Sequence, residues 1–130
     1  NRGLSHRVTF LGWLDAPAVR AQLAAATLFP YPSRDEGMPN AVLEAMAAGL
    51  PIVATDIAGN EELVQDGYNG RLVPKNDVVA LRDALRQMIG DPELRKTMGA
   101  AGRALVEANY SWERTAEAYL ERLRAIKDAN

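Results

Sequence analysis

The fold of this chain is decided by residues 33–49, which read Ser33-Arg34-Asp35-Glu36-Gly37-Met38-Pro39-Asn40-Ala41-Val42-Leu43-Glu44-Ala45-Met46-Ala47-Ala48-Gly49. An apolar run at 28–31 precedes this stretch, and a loop containing Gly37 leads into a helix that is expected to begin near Pro39 and to end at Gly49. In open α/β sheets, a loop that joins the carboxyl end of a strand to a helix N-terminus is where anionic ligands bind. The stretch therefore predicts an α/β fold with a ligand site at one edge of the sheet.

The composition is typical of a single globular domain over residues 1–130, with 48% hydrophobic and 25% charged residues. A net charge of −2 argues against a nucleic-acid partner, because such domains are usually strongly basic. The absence of cysteine excludes disulfides and thiolate metal sites, and it fits a reducing compartment, so we expect a cytoplasmic location. The apolar runs are too short to span a bilayer, so no transmembrane segment is expected.

Short apolar runs alternate with helical patterns over residues 1–109. We predict about four parallel strands, at 8–11, 27–31, 52–54 and 71–73. Helices are predicted to start at Asp15, near Pro39, near Asn60, at Asn76 or Asp77, and at Asp91. Such alternation predicts a parallel sheet with right-handed crossovers and flanking helices. A terminal helix capped by Ser111 is expected over 110–130.

The predicted helix start near Pro39 has the chemistry of an anion site. The backbone N–H groups of Gly37, Met38 and Asn40 lie where a helix has unpaired donors and a partial positive charge. Pro39 lacks an N–H group but loses nothing at the first helical position. A phosphate or diphosphate would fit. The alternative is an ordinary helix start with nothing bound, and the loop alone does not decide between the two.

Two glutamates, Glu36 and Glu44, frame this helix start. A carboxylate repels a bound phosphate, so these groups should instead accept hydrogen bonds from hydroxyls, as sugar and ribose hydroxyls on either side of a diphosphate would allow. Each glutamate also has an ordinary explanation. Glu36 would interact favourably with the helix dipole, and Glu44 would be a solvated helix position.

The spacing of Glu36 and Glu44 forms the E-x7-E pattern of retaining glycosyltransferases with the two-domain GT-B architecture, and the surrounding sequence resembles family 4 in particular. The matching residues, in chain order, are Phe10-Leu11-Gly12, Pro32-Ser33, the continuous stretch 36–54, Gly59 with Glu62, Asp66-Gly67 with Asn69-Gly70, and Ser111-Trp112. The resemblance covers nearly the whole chain. It implies a partial Rossmann-like, doubly wound α/β domain, the C-terminal donor-binding domain of such an enzyme.

The resemblance also implies roles for individual residues. Glu36 corresponds to the residue at the hydroxyls of the donor sugar and is the candidate catalytic residue. Glu44 resembles the residue that holds the nucleotide ribose. The residues expected to bind the donor sugar and diphosphate are Gly37, Met38, Pro39 and Asn40. The segment around Trp13 and Leu14 is similar to the one that contacts the base, largely through its backbone.

The implied activity is transfer of a sugar, with retention, from a UDP- or GDP-linked donor to an acceptor hydroxyl on a glycan or lipid in polysaccharide or glycolipid biosynthesis. No cofactor and no metal ion are expected, because the helix dipole and cationic side chains would replace a metal. Two alternatives stay open: a non-catalytic nucleotide-sugar-binding module, and a GT-B nucleotide-sugar epimerase. Arg34 would contact a phosphate or acceptor, or would be an ordinary exposed loop arginine.

The chain lacks an initiator Met and starts abruptly, so we expect a fragment of a longer protein. In the resembled family, a cationic pair lies upstream and the acceptor site comes from an N-terminal domain. The fragment alone is therefore expected to be inactive, and the full-length protein could associate peripherally with a membrane. The strand at 8–11 should not neighbour the strand at 27–31, so an exposed strand edge could mediate self-association.

Overall fold

The computed structural model describes residues 3–35 and 37–111 and, beyond them, residues 114, 116, 120, 121 and 124. The elements of this part of the chain are a 3-10 turn at Ser5–Arg7, α1 (Ala16–Ala25), β1 (Phe29–Tyr31), α2 (Asn40–Ala47), β2 (Ile52–Thr55), α3 (Ala58–Glu61), β3 (Gly70–Val73), α4 (Val78–Gly90) and α5 (Pro92–Asn109). Strands and helices alternate up to α4, as the sequence predicted.

The strands form a parallel sheet in the order β1-β2-β3. Phe29 pairs with Ile52 in one ladder, and Ile52 pairs with Gly70 in the other. All four residues of β2 are buried, which fits the apolar run of its first three residues. The parallel α/β prediction is therefore confirmed.

The predicted strand at 8–11 was wrong, and the sheet has three strands in the described part of the chain instead of about four. Residues 8–11 form no helix or strand, and their apolar side chains are largely exposed, Phe10 by 94%. Apolar and β-branched residues favour a strand only where a neighbouring strand pairs with their backbone groups. Neither ladder of the described sheet includes this segment.

Two apolar clusters cover the sheet, one on each face. On one face, Ile52 and Ala54 pack with Val42 and Met46 of α2. On the other face, Val53 packs with a second cluster that includes Met88 of α4. Successive strand residues point to opposite faces, so β2 contributes to both clusters and holds the two helical layers together.

The helix starts follow the predicted capping chemistry. The carboxylates of Asp15, Asp77 and Asp91 each accept a backbone N–H from the third residue beyond, at 2.9 Å. Ser111 accepts the N–H of Arg114 at 3.2 Å, as expected for the start of a terminal helix. Trp112 and most of the predicted helix over 110–130 lie outside the described residues.

Helix α5 packs against the end of α2 through two glycines. A Cβ atom added to Gly99 would overlap the carbonyl oxygen of Gly49, so the two backbones are in direct contact. Gly49 itself has a φ of 78°, in the left-handed region that glycine adopts without strain. This contact fixes α5 against the turn that follows α2.

Gly99→Ala should lower the free energy of unfolding by about 1–3 kcal/mol, because the new methyl group forces two backbones apart. Denaturant titration of the purified variant measures the change. Gly90→Ala is the matched control, since a Cβ there meets nothing within 4 Å. The control should leave stability unchanged or raise it by up to about 1 kcal/mol. Equal effects of the two substitutions would contradict the close packing of α5.

Candidate functional site

The loop at 32–39 connects the carboxyl end of β1 to the N-terminus of α2. Pro39 occupies the N-cap position, and its side chain cannot cap the helix. The first turn of α2 contains no acidic residue. The positive end of the helix dipole is therefore not compensated by the side chains of the cap and first turn, which favours an anion there.

The burial of α2 determines which side chains are available to a ligand. Val42, Ala45 and Met46 face the core and are fully buried. Asn40 and Glu44 are exposed, and they lie four residues apart, about 6 Å along the helix axis. Glu44 is therefore placed one turn beyond the helix N-terminus, on a side of α2 that a ligand can reach.

A groove between α1 and α2 contains Glu44. Its volume is about 590 Å³, and its lining residues are Leu14, Ala16, Val19, Arg20, Leu23, Glu44, Ala47 and Ala48. Most of these side chains are apolar, and two are charged. A volume of this size and an apolar wall with few polar groups are typical of small-molecule sites.

The structure brings some of the predicted site residues together and leaves others apart. Leu14, predicted near the base, and Glu44, predicted at the ribose, line the same groove. Trp13 is 88% exposed and is not among the lining residues, and neither are residues 37–40. Met38 is exposed and Pro39 is buried. Glu36, the candidate catalytic residue, lies outside the described residues.

Sequence reasoning missed the contribution of α1 to this groove. Leu23 is half-buried and packs against the core, but no residue of α1 is fully buried. Ala16, Val19, Arg20 and Leu23 recur at helical spacing and together form one wall. That spacing was visible in the sequence, and the half-burial of the wall was not.

Hydrogen bonds tie the loop after β1 to the central strand. The Thr55 hydroxyl, at the end of β2, donates to the Ser33 carbonyl. The Nδ2 atom of the fully buried Asn60 donates to the Thr55 carbonyl at 2.8 Å. The loop that leads to α2 is therefore anchored to the sheet and, through Asn60, to α3.

Two carboxylates, Asp56 and Glu61, lie close together just beyond β2. A hydrogen bond to Asp56 and the negative charge of that residue raise the pKa of Glu61 above its ordinary value. Both residues are exposed. The pair concentrates negative charge beside the end of the central strand.

The described residues contain no cluster of three or more His, Cys, Asp or Glu side chains that could hold a metal ion. Metal independence of the reaction stays a prediction. Across the same residues, no helix is both long and apolar enough to cross a membrane.

The class of protein follows from comparison with known families. Residues 1–91 match the family described as Glycosyl transferases group 1. The chain belongs to this family. The members of this family are sugar-transferring enzymes. The groove described above lies in a domain of that family.

Individual relatives agree with this family. The chain is 40% identical over 117 residues to the GDP-mannose-dependent monoacylated alpha-(1-6)-phosphatidylinositol monomannoside mannosyltransferase of Corynebacterium glutamicum, a match that covers 85% of this chain and 30% of that protein. Among solved structures, sucrose-phosphate synthase from Thermosynechococcus elongatus superposes with a TM-score of 0.90 at 33% identity, covering 98% of this chain and 32% of that one. HepE from Anabaena, in complex with UDP and glucose, gives a TM-score of 0.88 at 27% identity, covering 95% of this chain and 33% of that one.

These structural neighbours are GT-B glycosyltransferases, and the predicted fold class is confirmed, with three strands in place of four. The chain spans about a third of the length of the relatives it matches.

Glu61→Gln should raise the midpoint of thermal unfolding near neutral pH. Because folding raises the pKa of Glu61, the folded state holds this proton more tightly than the unfolded chain does. The resulting stabilisation is present below the ordinary glutamate pKa and is lost as the pH rises through the raised one. The uncharged amide removes the repulsion and still donates a hydrogen bond to Asp56.

Melting curves of both proteins, recorded by circular dichroism from acidic to neutral pH, measure this difference. The gain in midpoint should vanish at acidic pH, where Glu61 is protonated. Glu62→Gln removes the same charge from the neighbouring residue and serves as the control. A gain of equal size in the control, or one that persists at acidic pH, would count against the pairing.

Proposed function

We propose that this chain is the donor-binding part of a retaining, family 4 glycosyltransferase, which moves a sugar from a nucleotide diphosphate sugar to an acceptor hydroxyl. The observation that carries the proposal is the groove that Leu14 and Glu44 both line. Glu44 lies one helical turn from the N-terminus of α2. The mannosyltransferase relative is named for its dependence on GDP-mannose, and HepE was solved with UDP. Both names support a UDP- or GDP-linked donor here.

The groove suits a nucleoside. Its apolar wall of Leu14, Val19 and Leu23 would pack against a planar base. Burying the apolar surface of the base away from water would favour binding. The carboxylate of Glu44 would accept hydrogen bonds from the two ribose hydroxyls. Such charge-assisted bonds are stronger than bonds between neutral groups, so Glu44 would orient the sugar ring as well as hold it.

The diphosphate would lie at the N-terminus of α2. The N–H groups of Gly37, Met38 and Asn40 would donate to its oxygens, and the helix dipole would favour its charge. The position of Glu44 supports this arrangement, because a carboxylate would repel a diphosphate placed deeper in the groove. Pro39, whose ring fixes φ, would limit the movement of the loop around the ligand.

The E-x7-E pairing then assigns the donor sugar to Glu36, on the far side of the diphosphate from the ribose. As the bond between the sugar and the phosphate breaks, negative charge accumulates on the departing diphosphate. The helix N-terminus would stabilise that charge without a metal ion, and preorganised stabilisation of this kind is a major source of catalytic rate.

Further parts of the proposed enzyme are assigned to segments other than this chain. An upstream cationic pair would neutralise the leaving group, and an N-terminal domain would bind the glycan or lipid acceptor. The chain by itself would then be inactive. The edge of β1, which lacks a second partner in the described sheet, would be the surface for self-association of the isolated chain.

Glu44→Ala should weaken binding of UDP or GDP by about 1–3 kcal/mol, the typical cost of losing a hydrogen bond to a charged group. Isothermal titration calorimetry on the purified chain gives the dissociation constant. Glu121→Ala, at an exposed glutamate that does not line the groove, should leave affinity unchanged. An unaltered dissociation constant for the Glu44 variant would reject the ribose role.

Glu36→Ala, made in the full-length protein, should reduce turnover far more than it reduces nucleotide affinity, because Glu36 is assigned to the donor sugar and not to the nucleotide. Turnover is measured with a radiolabelled donor, and affinity with free UDP or GDP. If the affinity for the free nucleotide fell as much as turnover, Glu36 would belong to the nucleotide site.

A further inference from the structure

A second, smaller groove lies where all three strands of the described sheet end. Its volume is about 160 Å³. The loop after β1 contributes Ser33 and Arg34, the end of β2 contributes Thr55, and the connection from β3 to α4 contributes Lys75 and Asp77. The carboxyl ends of parallel strands are where open α/β sheets bind their ligands, so the groove lies in a functional position.

The charges in this groove are unbalanced in favour of cations. Arg34 and Lys75 both line it, and neither forms an ion pair with any residue that the structure describes. Asp77 is the only carboxylate among its described lining residues, and that side chain already accepts the N–H of Ala80 at 2.9 Å. Asp56 and Glu61, the carboxylates just beyond β2, are not among the lining residues. The described lining therefore carries two cations for one carboxylate that already accepts a hydrogen bond, and this balance attracts anions.

Thr55, a neutral polar residue of the groove, is already engaged. The Thr55 hydroxyl donates to the Ser33 carbonyl, and the Thr55 carbonyl accepts from Asn60. An anionic ligand would be held mainly by the two cationic side chains, because they supply the positive charge of the described lining. Arginine offers a planar fork of donors that matches phosphate oxygens, and lysine adds a point charge.

We propose that Arg34 and Lys75 form a subsite for a phosphate group that is separate from the diphosphate site at α2. We assign this phosphate to the second substrate, the acceptor, because the mannosyltransferase relative is named for a phosphatidylinositol-based acceptor. A phosphate ester carries between one and two negative charges near neutral pH, which two cations balance. The anion subsite stands on the groove alone, and its assignment to the acceptor rests on the proposed function.

Titration of the isotopically labelled chain with inorganic phosphate, followed by backbone amide NMR, tests the subsite residue by residue. We expect shifts at Arg34 and at residues 75–78, in addition to any shifts at the start of α2. The shifts around Arg34 and Lys75 should persist when UDP is present at saturation, since the two sites are separate.

The double variant R34Q/K75Q should bind phosphate at this groove about tenfold more weakly, because both charged donors are lost. R86Q/K96Q removes the same two charge types from exposed positions outside the groove, and it should bind as the unaltered chain does. The charge-conserving variant R34K/K75R should stay within about threefold of the unaltered chain. Amide spectra without phosphate show that each variant is folded.

Three results would overturn the proposal. The first is an absence of phosphate-induced shifts at Arg34 and residues 75–78, and the second is equal weakening in the two charge-removing variants. The third is loss of those shifts on addition of UDP, which would assign the pair to the donor. If UDP itself fails to bind, the proposed function fails, while the phosphate titration still decides whether the anion subsite exists.

Discussion

The hydrogen bond from the Thr55 hydroxyl to the Ser33 carbonyl connects the central strand to the loop on which the candidate site depends. Thr55 is almost fully buried, so water does not compete for this bond. Asn60 extends the connection by donating to the Thr55 carbonyl. Losing a buried bond of this kind typically costs about 1–3 kcal/mol, because one partner is left unsatisfied. The strand end, the loop and α3 are thereby held in one arrangement.

The two grooves differ in their balance of charge, and this difference fits two different substrates. The larger groove has a mostly apolar wall, and its two charged lining residues are Glu44 and Arg20. The smaller groove also has an apolar part, but its described lining carries two cations, Arg34 and Lys75, and one carboxylate, that of Asp77. A transfer between two phosphate-bearing substrates brings like charges together, and that repulsion opposes their simultaneous binding. In the proposed enzyme, the uncapped N-terminus of α2 would offset the charge of the donor diphosphate. The two cations would offset the charge of the acceptor phosphate at a separate place, and together they would reduce the repulsion.

The sequence predicted best those features that local chemistry determines. Asp15, Asp77 and Asp91 begin helices as expected, because capping involves a side chain and a backbone group three residues away. The prediction of a strand at 8–11 was wrong, because strand formation requires a neighbouring strand that is distant in sequence. The resemblance identified Leu14 and Glu44 separately, but not Arg20. From the sequence alone, a charged residue on α1 is expected to be an ordinary solvated position. Only the structure shows that Arg20 lines a groove together with residues of α2.

The anchored loop at 32–39 also affects the entropy of ligand binding. Proline occurs at both ends of the loop, and its ring fixes one backbone dihedral angle at each place. The Thr55 bond restrains a third point, at Ser33. Ordering the backbone of a free residue costs about 1–2 kcal/mol, and each residue held in place before a ligand arrives avoids that cost. The residues restrained at these three points therefore pay less of the ordering cost when a ligand binds.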